Sequence, residues 1–398
     1  MGRRVGSDLV WGPVTVSEAT HPVRLGFLPE AQAIDDPDHP GLRRAGPRAA
    51  APYGDDRVEF HRCPAVDLLR SDPGDLDLLG AGFDSVDLSG LEVLQQTCAA
   101  VLDAGRITDA QAAAIRASLD GAVLPAAHGP DLRVLHIADE GLIMRTGGPN
   151  GRSLVGPRST GMNGHGQAVS IHVDQDVFGT PLEQVMDGRA PSLFAHESPD
   201  GANRDSTLLL VNLWIPLRQQ VQPLVLADGR SVDRRRHQLR YGLPTGTFLE
   251  RDEDQLVNDI YTLLHDTGQR WYFRSDMDHR SAWVFNTLST PHGAGVLPGE
   301  DVAEQCFVAL ESLEEAVLAA DEETLGAALS GVAGATLPAD TPPALRSAVG
   351  EMFRLLDLVA SDGPSKAWVE ASRVARGRVV RSSLEMRMVV TVDPGRTA

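Results

Sequence analysis

Cysteine is scarce in this chain: Cys63, Cys98 and Cys306 are the only three in 398 residues. Their odd number and wide spacing exclude a disulfide framework and indicate no zinc cluster. The sequence therefore predicts three small buried thiols in a reducing compartment. Lysine is scarcer still, Lys366 being the only one among 36 basic residues, a bias that suggests a GC-rich genome more than a function. Positive charge as a whole is short: 55 acidic against 36 basic residues leave a net charge of −19. That balance disfavours a nucleic-acid or anionic-membrane partner, since both need basic stripes that release counterions. Nowhere do 18 apolar residues run together, and no signal-length apolar run follows Arg3 and Arg4; a cytoplasmic location is the expectation. Apolar residues at 42% and charged residues at 23% make an ordinary globular composition, and the length suffices for a substantial core.

Periodicity divides the chain. Residues 1–60 are rich in Pro, Gly and charge and read as an extended or partly disordered arm. Two helices are expected next: Ser89-Gly90-Leu91-Glu92 has the S-x-x-E form of a capping box, and Thr108-Asp109-Ala110-Gln111 the T-x-x-Q form. From about residue 133 the pattern becomes strand-like, with RVLHIAD, QAVSIHVDQDVF, STLLLVNLWIPL, QPLVLAD, QRWYFRS and SAWVFNTLS separated by turns. Such spacing suggests an antiparallel sandwich or barrel. The longest connection, residues 178–205, is of the length that is usually functional or mobile. After His292 the period is helical again, with Val302, Cys306, Phe307, Leu310, Leu313 and Val317 on one face. Thr341-Pro342 reads as the start of another helix. A final strand, RGRVVRSSLEMRMVVTV, ends the pattern. The division expected is a core with N-terminal helices over 61–298, a helical insert over 299–375 serving as a lid, a buttress or an oligomerisation module, and the final core strand over 376–398.

Within AVSIHVDQDV, strand alternation puts His172 and Asp174 on one face, with Cα atoms roughly 6.6 Å apart. A second imidazole would complete two histidines and a carboxylate on one face of a metal, the set that leaves positions open on non-haem Fe(II). The candidate is His292, which follows a strand and the Thr290-Pro291 turn and precedes Gly293. A strand histidine beside a surface carboxylate would give the same triplet, and a turn histidine with one hydrogen bond would give the same His292. On the last strand Arg381, Ser383, Glu385 and Arg387 share a face by alternation. A guanidinium with a hydroxyl two residues on suits a carboxylate; a solvated edge strand is the plainer alternative. Asn212 and Trp214 share a strand face and could line a pocket or belong to the core. Arg230 could bind a carboxylate or pair with Asp228 or Asp233. The run Arg234-Arg235-Arg236-His237 reads as a solvated loop.

The ordered pieces HVDQD, NLWIPL, PLVLADGRSVD, RWYF, TPHGAG and RSSLEMRMVV resemble the CmcJ/AsaB-like, gibberellin desaturase-like family of Fe(II)- and 2-oxoglutarate-dependent hydroxylases and desaturases. The resemblance covers roughly residues 130–298 and the last strand. It implies a double-stranded β-helix, a jelly-roll of cupin type, mainly β with α elaborations. It further implies His172, Asp174 and His292 as iron ligands, Arg381 and Ser383 on the distal carboxylate of 2-oxoglutarate, and O2 as co-reactant. A small-molecule substrate would be hydroxylated, desaturated or oxidatively cyclised, with release of succinate and CO2. Because Asp174 fills the carboxylate position, halogenation is not expected. In this family the Arg-x-Ser strand follows the second histidine closely, whereas here the insert intervenes; loop closure grows only slowly more costly with length, and Arg376, Arg378 and Arg387 stand as other anchors. Two other classes fit parts of the pattern: an O2-independent cupin-like isomerase, epimerase or hydrolase, and a non-catalytic jelly-roll binding protein. Amphipathic helices late in the chain leave room for a homodimer.

Overall fold

In the stretch LLLVNLWIP, alternate side chains have different destinations, and that alternation sets the architecture. Leu209, Val211, Leu213 and Ile215 enter one apolar cluster, while Trp214 on the opposite face enters another. A strand buried on both faces must lie in a sheet with layers on either side. The computed structural model describes residues 20–46, 58–71, 74–138, 142–155, 161–218, 221–244, 257–319, 328–332, 334–362 and 365–392.

Eight strands form the core: β1 (Ile143–Gly147), β2 (His172–Val173), β3 (Leu208–Pro216), β4 (Leu224–Ala227), β5 (Trp271–Phe273), β6 (Ser281–Asn286), β7 (His292–Ala294) and β8 (Arg381–Val392). One sheet runs β1-β8-β3-β6 and the other β2-β7-β4-β5, every pairing antiparallel. This interleaved order, with successive strands alternating between the sheets except for the consecutive β4 and β5, is the double-stranded β-helix. Inward positions converge from both sheets: Trp214, Trp283 and Phe285 meet Leu224, Leu226 and Tyr272.

Both outer faces are covered by helices. On the first sheet lie α1 (Glu92–Ala104) and α2 (Asp109–Leu119), whose Leu94, Cys98, Val101, Ile115 and Leu119 pack on Val211, Val284 and Met386. On the second lie α3 (Glu300–Ala319), α4 (Pro343–Asp362) and α5 (Lys366–Gly377). Their Val302, Cys306, Phe307, Leu310, Leu313, Met352 and Trp368 share a cluster with Ile171, Val173 and Val225. The side chain of Val317 lies outside the described residues. The three cysteines are free and buried, and burial pushes each thiol up to about 12. No described helix is long and apolar enough to cross a membrane.

Local expectations fare differently from one segment to the next. The N-terminal arm is structured over residues 20–46: Thr20–Phe27 pairs with Glu59–Asp67, which runs parallel to β5, and Ala33–Asp35 and Arg43–Ala45 extend the far edge of the same sheet. Residues 1–19 and 47–57 lie outside the described residues. Thr108 does form a capping box with Gln111. Ser89 does not: α1 has Leu91 at its N-cap with no side-chain bond, because the Ser89 amide donates to Asp87 Oδ1 in a turn of its own. Thr341 does not cap α4, its buried hydroxyl finding no partner among the described residues. The connection 178–205 carries two one-turn helices, Leu182–Val185 and Ala190–Leu193, and a hairpin of His196–Ser198 with Gly201–Asn203.

Candidate metal centre

His172 and His292 stand directly opposite each other where β2 pairs with β7. Strand alternation turns His172 inward, since its neighbours Ile171 and Val173 pack on the outer face, and His292 is its direct partner across the pair. Gly293 permits the approach: a Cβ there would lie 2.9 Å from Ile171 Cδ1 and 3.1 Å from Ser170 O. Asp174 comes directly after the end of β2, with Oδ1 3.5 Å from His172 Nε2 and 3.6 Å from His292 Nε2. One ligand atom from each of the three residues falls within 4.8 Å of the others.

The tautomers are set by the partners. His172 Nδ1 lies 2.9 Å from Ser170 O, and His292 Nδ1 lies 3.0 Å from Thr290 O. A carbonyl only accepts, so each Nδ1 holds the proton and each Nε2 offers a lone pair toward Asp174. Burial pushes His292 down to about 4, which keeps its ring neutral. Burial alone would lift the Asp174 carboxyl; set among the His292 and His172 rings and near Arg387, it is nonetheless held well below the usual carboxylate range. Asn212 Nδ2 donates to the other oxygen, Oδ2, at 3.3 Å. Three buried lone-pair donors facing one point, two neutral nitrogens and one carboxylate oxygen, fit a divalent transition metal.

A second feature lies on β8. Arg381 is 2% exposed and Ser383 is fully buried, so the last strand has no solvated polar face there. Arg381 Nε and Nη1 and Ser383 Oγ have no hydrogen-bond partner among the described residues. Buried donors left unpaired cost roughly 1–3 kcal/mol each, and together they form a cradle that could hold an anion. The guanidinium carbon sits 5.2 Å above the Trp214 ring. Burial pushes Arg381 down to about 10, against the pull of Glu385 and Glu300.

The other inward residues are matched within the protein. Glu385 accepts from Arg145 Nε at 2.8 Å, and Arg145 Nη1 donates to Gly166 O. Arg387 Nη1 donates to Gln175 Oε1 at 3.3 Å, one residue past Asp174. Asn212 therefore touches the centre, and Trp214 both floors the cradle and belongs to the core. Arg230 is taken up by Asp228 at 2.8 Å and Asp75 at 3.0 Å, while Asp233 caps the short helix Arg234–His237. Arg376 is held by Glu314 and Glu311 over the Phe307 ring, and Arg378 is exposed, which leaves Arg381 as the inward candidate among these. The arginine run is a short helix solvated in part: Arg235 and Arg236 are exposed, whereas Arg234 turns against Glu197 and Ser289 O and His237 is buried. Sequence reasoning missed Arg145, a lone arginine in a five-residue strand that carries no pattern.

Comparison with known proteins agrees in part of the chain. Residues 156–299 match a family model described as an oxidoreductase/YMDC permease-like domain, a stretch that holds all three candidate ligands and stops before Arg381. Oxidoreductase clz16 of Cochliobolus lunatus and oxidoreductase R2 of Phoma sp. are each 29% identical over 133 residues, or 31% of this chain. The match spans 44% of the length of these curated relatives. Solved structures of the iron and alpha-ketoglutarate-dependent endoperoxidase NvfI align over 94% of this chain and 99% of theirs at 14% identity, with TM-scores of 0.43 and 0.44 in two conformations.

Proposed function

We propose that this chain is an Fe(II)- and 2-oxoglutarate-dependent oxygenase that hydroxylates, desaturates or oxidatively cyclises a small molecule of specialised metabolism. The observation that carries the reading is the pairing of two features in one barrel: three converging lone-pair donors and a separate buried cationic cradle. An isomerase or hydrolase on the same ligands would leave Arg381 and Ser383 without a task.

His172 and His292 would hold the iron through Nε2 and Asp174 through its carboxylate. Iron, 2-oxoglutarate and O2, when bound, would supply the oxidising power to take hydrogen from an unactivated C–H bond, with succinate and CO2 as the coproducts. The chain's own residues bind and aim. Asn212 fixes the Asp174 carboxylate, and the Ser170 and Thr290 carbonyls fix the two imidazole planes. Arg381 offers donors from a planar fork and Ser383 a hydroxyl, matching the distal carboxylate of the cosubstrate. Phe285, with its ring centroid 4.3 Å from that of His292, walls the centre on one side with Trp283 and Trp214 and keeps water from that face.

Anaerobic addition of Fe(II) and 2-oxoglutarate to the apoprotein should produce the weak visible charge-transfer band of the chelate. The band is expected to vanish in His172→Ala. In Arg381→Ala the 2-oxoglutarate Kd should rise at least about 30-fold, the equivalent of roughly 2 kcal/mol for losing one side of a buried charge contact. A folded, iron-loaded protein without the band would overturn the reading.

A further inference from the structure

The ladder of β2 ends at Val173, which pairs with Tyr261, so Asp174 lies one residue past the last strand pair that could hold it. Its backbone must be fixed by the residues just beyond. Asp176, only 1% exposed, is the residue so equipped. Its Oδ1 accepts from Tyr261 Oη at 2.7 Å and from the Phe178 amide at 3.0 Å, and its Oδ2 accepts from Arg240 Nε at 2.8 Å. Val173, Tyr261 and Arg240 stand in register across three adjacent strands, β2, Val257–Leu263 and Gln238–Pro244. The guanidinium reaches further: Nη2 donates to Asp200 Oδ2, and Nη1 lies 3.9 Å from Asp36 Oδ2.

These three carboxylates come from three places: the segment after the metal-binding strand, the turn of the hairpin in the connection 178–205, and the N-terminal strands. A planar fork with donors on several edges can hold two such groups by hydrogen bonds at fixed angles, with the third paired by charge alone, which an ammonium does less well. The Arg240 side chain is largely buried, as are Asp176 and Asp36, so the contacts escape the solvent screening that weakens surface pairs.

We propose that Arg240 is a positioning residue for the metal centre, acting through Asp176. By clamping Asp176 it fixes the backbone from which Asp174 projects. By holding Asp200 with the same guanidinium it ties the order of the 178–205 connection to that ligand, so metal binding and closure of the connection reinforce each other. The inference rests on the reading of His172, Asp174 and His292 as a metal site.

The test uses the full chain and Co(II) as the probe, with the d–d absorption reporting ligand geometry and limited proteolysis reporting the connection. Arg240→Gln is expected to weaken Co(II) binding by roughly 10–100-fold, the usual cost of losing a group behind a ligand, and to alter the band shape. Arg240→Lys should recover the charge but little of the band shape. Co(II) should slow cleavage between residues 178 and 205 in the wild-type chain and not in Arg240→Gln. Tyr261→Phe, which removes one hydroxyl, should show a smaller loss in the same direction and decides the matter should Arg240→Gln fail to fold. Wild-type binding that both variants reproduce within about twofold and with an unchanged band would overturn the role of Arg240 alone. A wild-type chain that binds no Co(II) would overturn the metal-site reading and this inference with it.

Discussion

Glu300 shows how one side chain can be pulled in opposite directions. It is 1% exposed, and its two oxygens accept from the Leu297 amide at 2.6 Å and the Asn150 amide at 2.9 Å. Burial outweighs those two bonds and pushes the carboxyl up to about 8. An acid whose folded value lies above its unfolded value holds its proton more tightly when folded. Its contribution is therefore fully present below the ordinary glutamate range and is lost as pH rises through about 8. The difference in melting temperature between Glu300→Gln and the wild-type chain should move in favour of the variant between about pH 6 and pH 9; a difference constant over that window would contradict the assignment. Legibility at this scale depended on pattern. His172, Asp174, Arg381 and Ser383 could be read because strand alternation relates residues two apart. Arg145, Arg240 and Glu300 could not, because partners that place them, Glu385 for Arg145, Asp176 and Asp200 for Arg240 and Asn150 for Glu300, lie 40 or more residues away in sequence and no local spacing marks them.

Helix starts illustrate what local motifs do and do not determine. Thr108 and Ser89 open equally good capping boxes on paper, yet only Thr108 accepts the bond from the Gln111 amide. Thr108→Ala should lower stability by about 1 kcal/mol, the usual worth of a cap, whereas Ser89→Ala should stay within about 0.5 kcal/mol in the same urea titration. Among strands, β3, β4 and β6 were legible because each is a dense apolar run. Gln238–Pro244 and Val257–Leu263 were not: QLRYGLP and VNDIYTL mix glycine, proline and charge into the run, and tertiary pairing overrides such weak propensity. The run QAVSIHVDQDVF read as one strand, of which the structure forms the two-residue β2, and its register comes from β7 and Val257–Leu263.

At the scale of the molecule, alternating helical and strand-like stretches gave the layers, but not which sheet face each helix would cover. The insert packs directly behind β2, with Phe307 and Val302 in one cluster with Ile171 and Val173. Phe307→Ala should therefore cost about 3–5 kcal/mol, as for a large buried aromatic elsewhere, and denaturant unfolding followed by tryptophan fluorescence would measure it. A cost below about 1 kcal/mol would mean that the insert does not support the sheet. The helical cover on both sheets also bears on how such a chain can change its repertoire. Core strands hemmed in on two sides tolerate little drift, because a new side chain disturbs either the interior site or the layer behind it. Variation that alters which molecule is accepted is thus channelled into the segments between strands, the connection 178–205 above all. Mutant libraries aimed at new substrates belong there, with the strands left untouched.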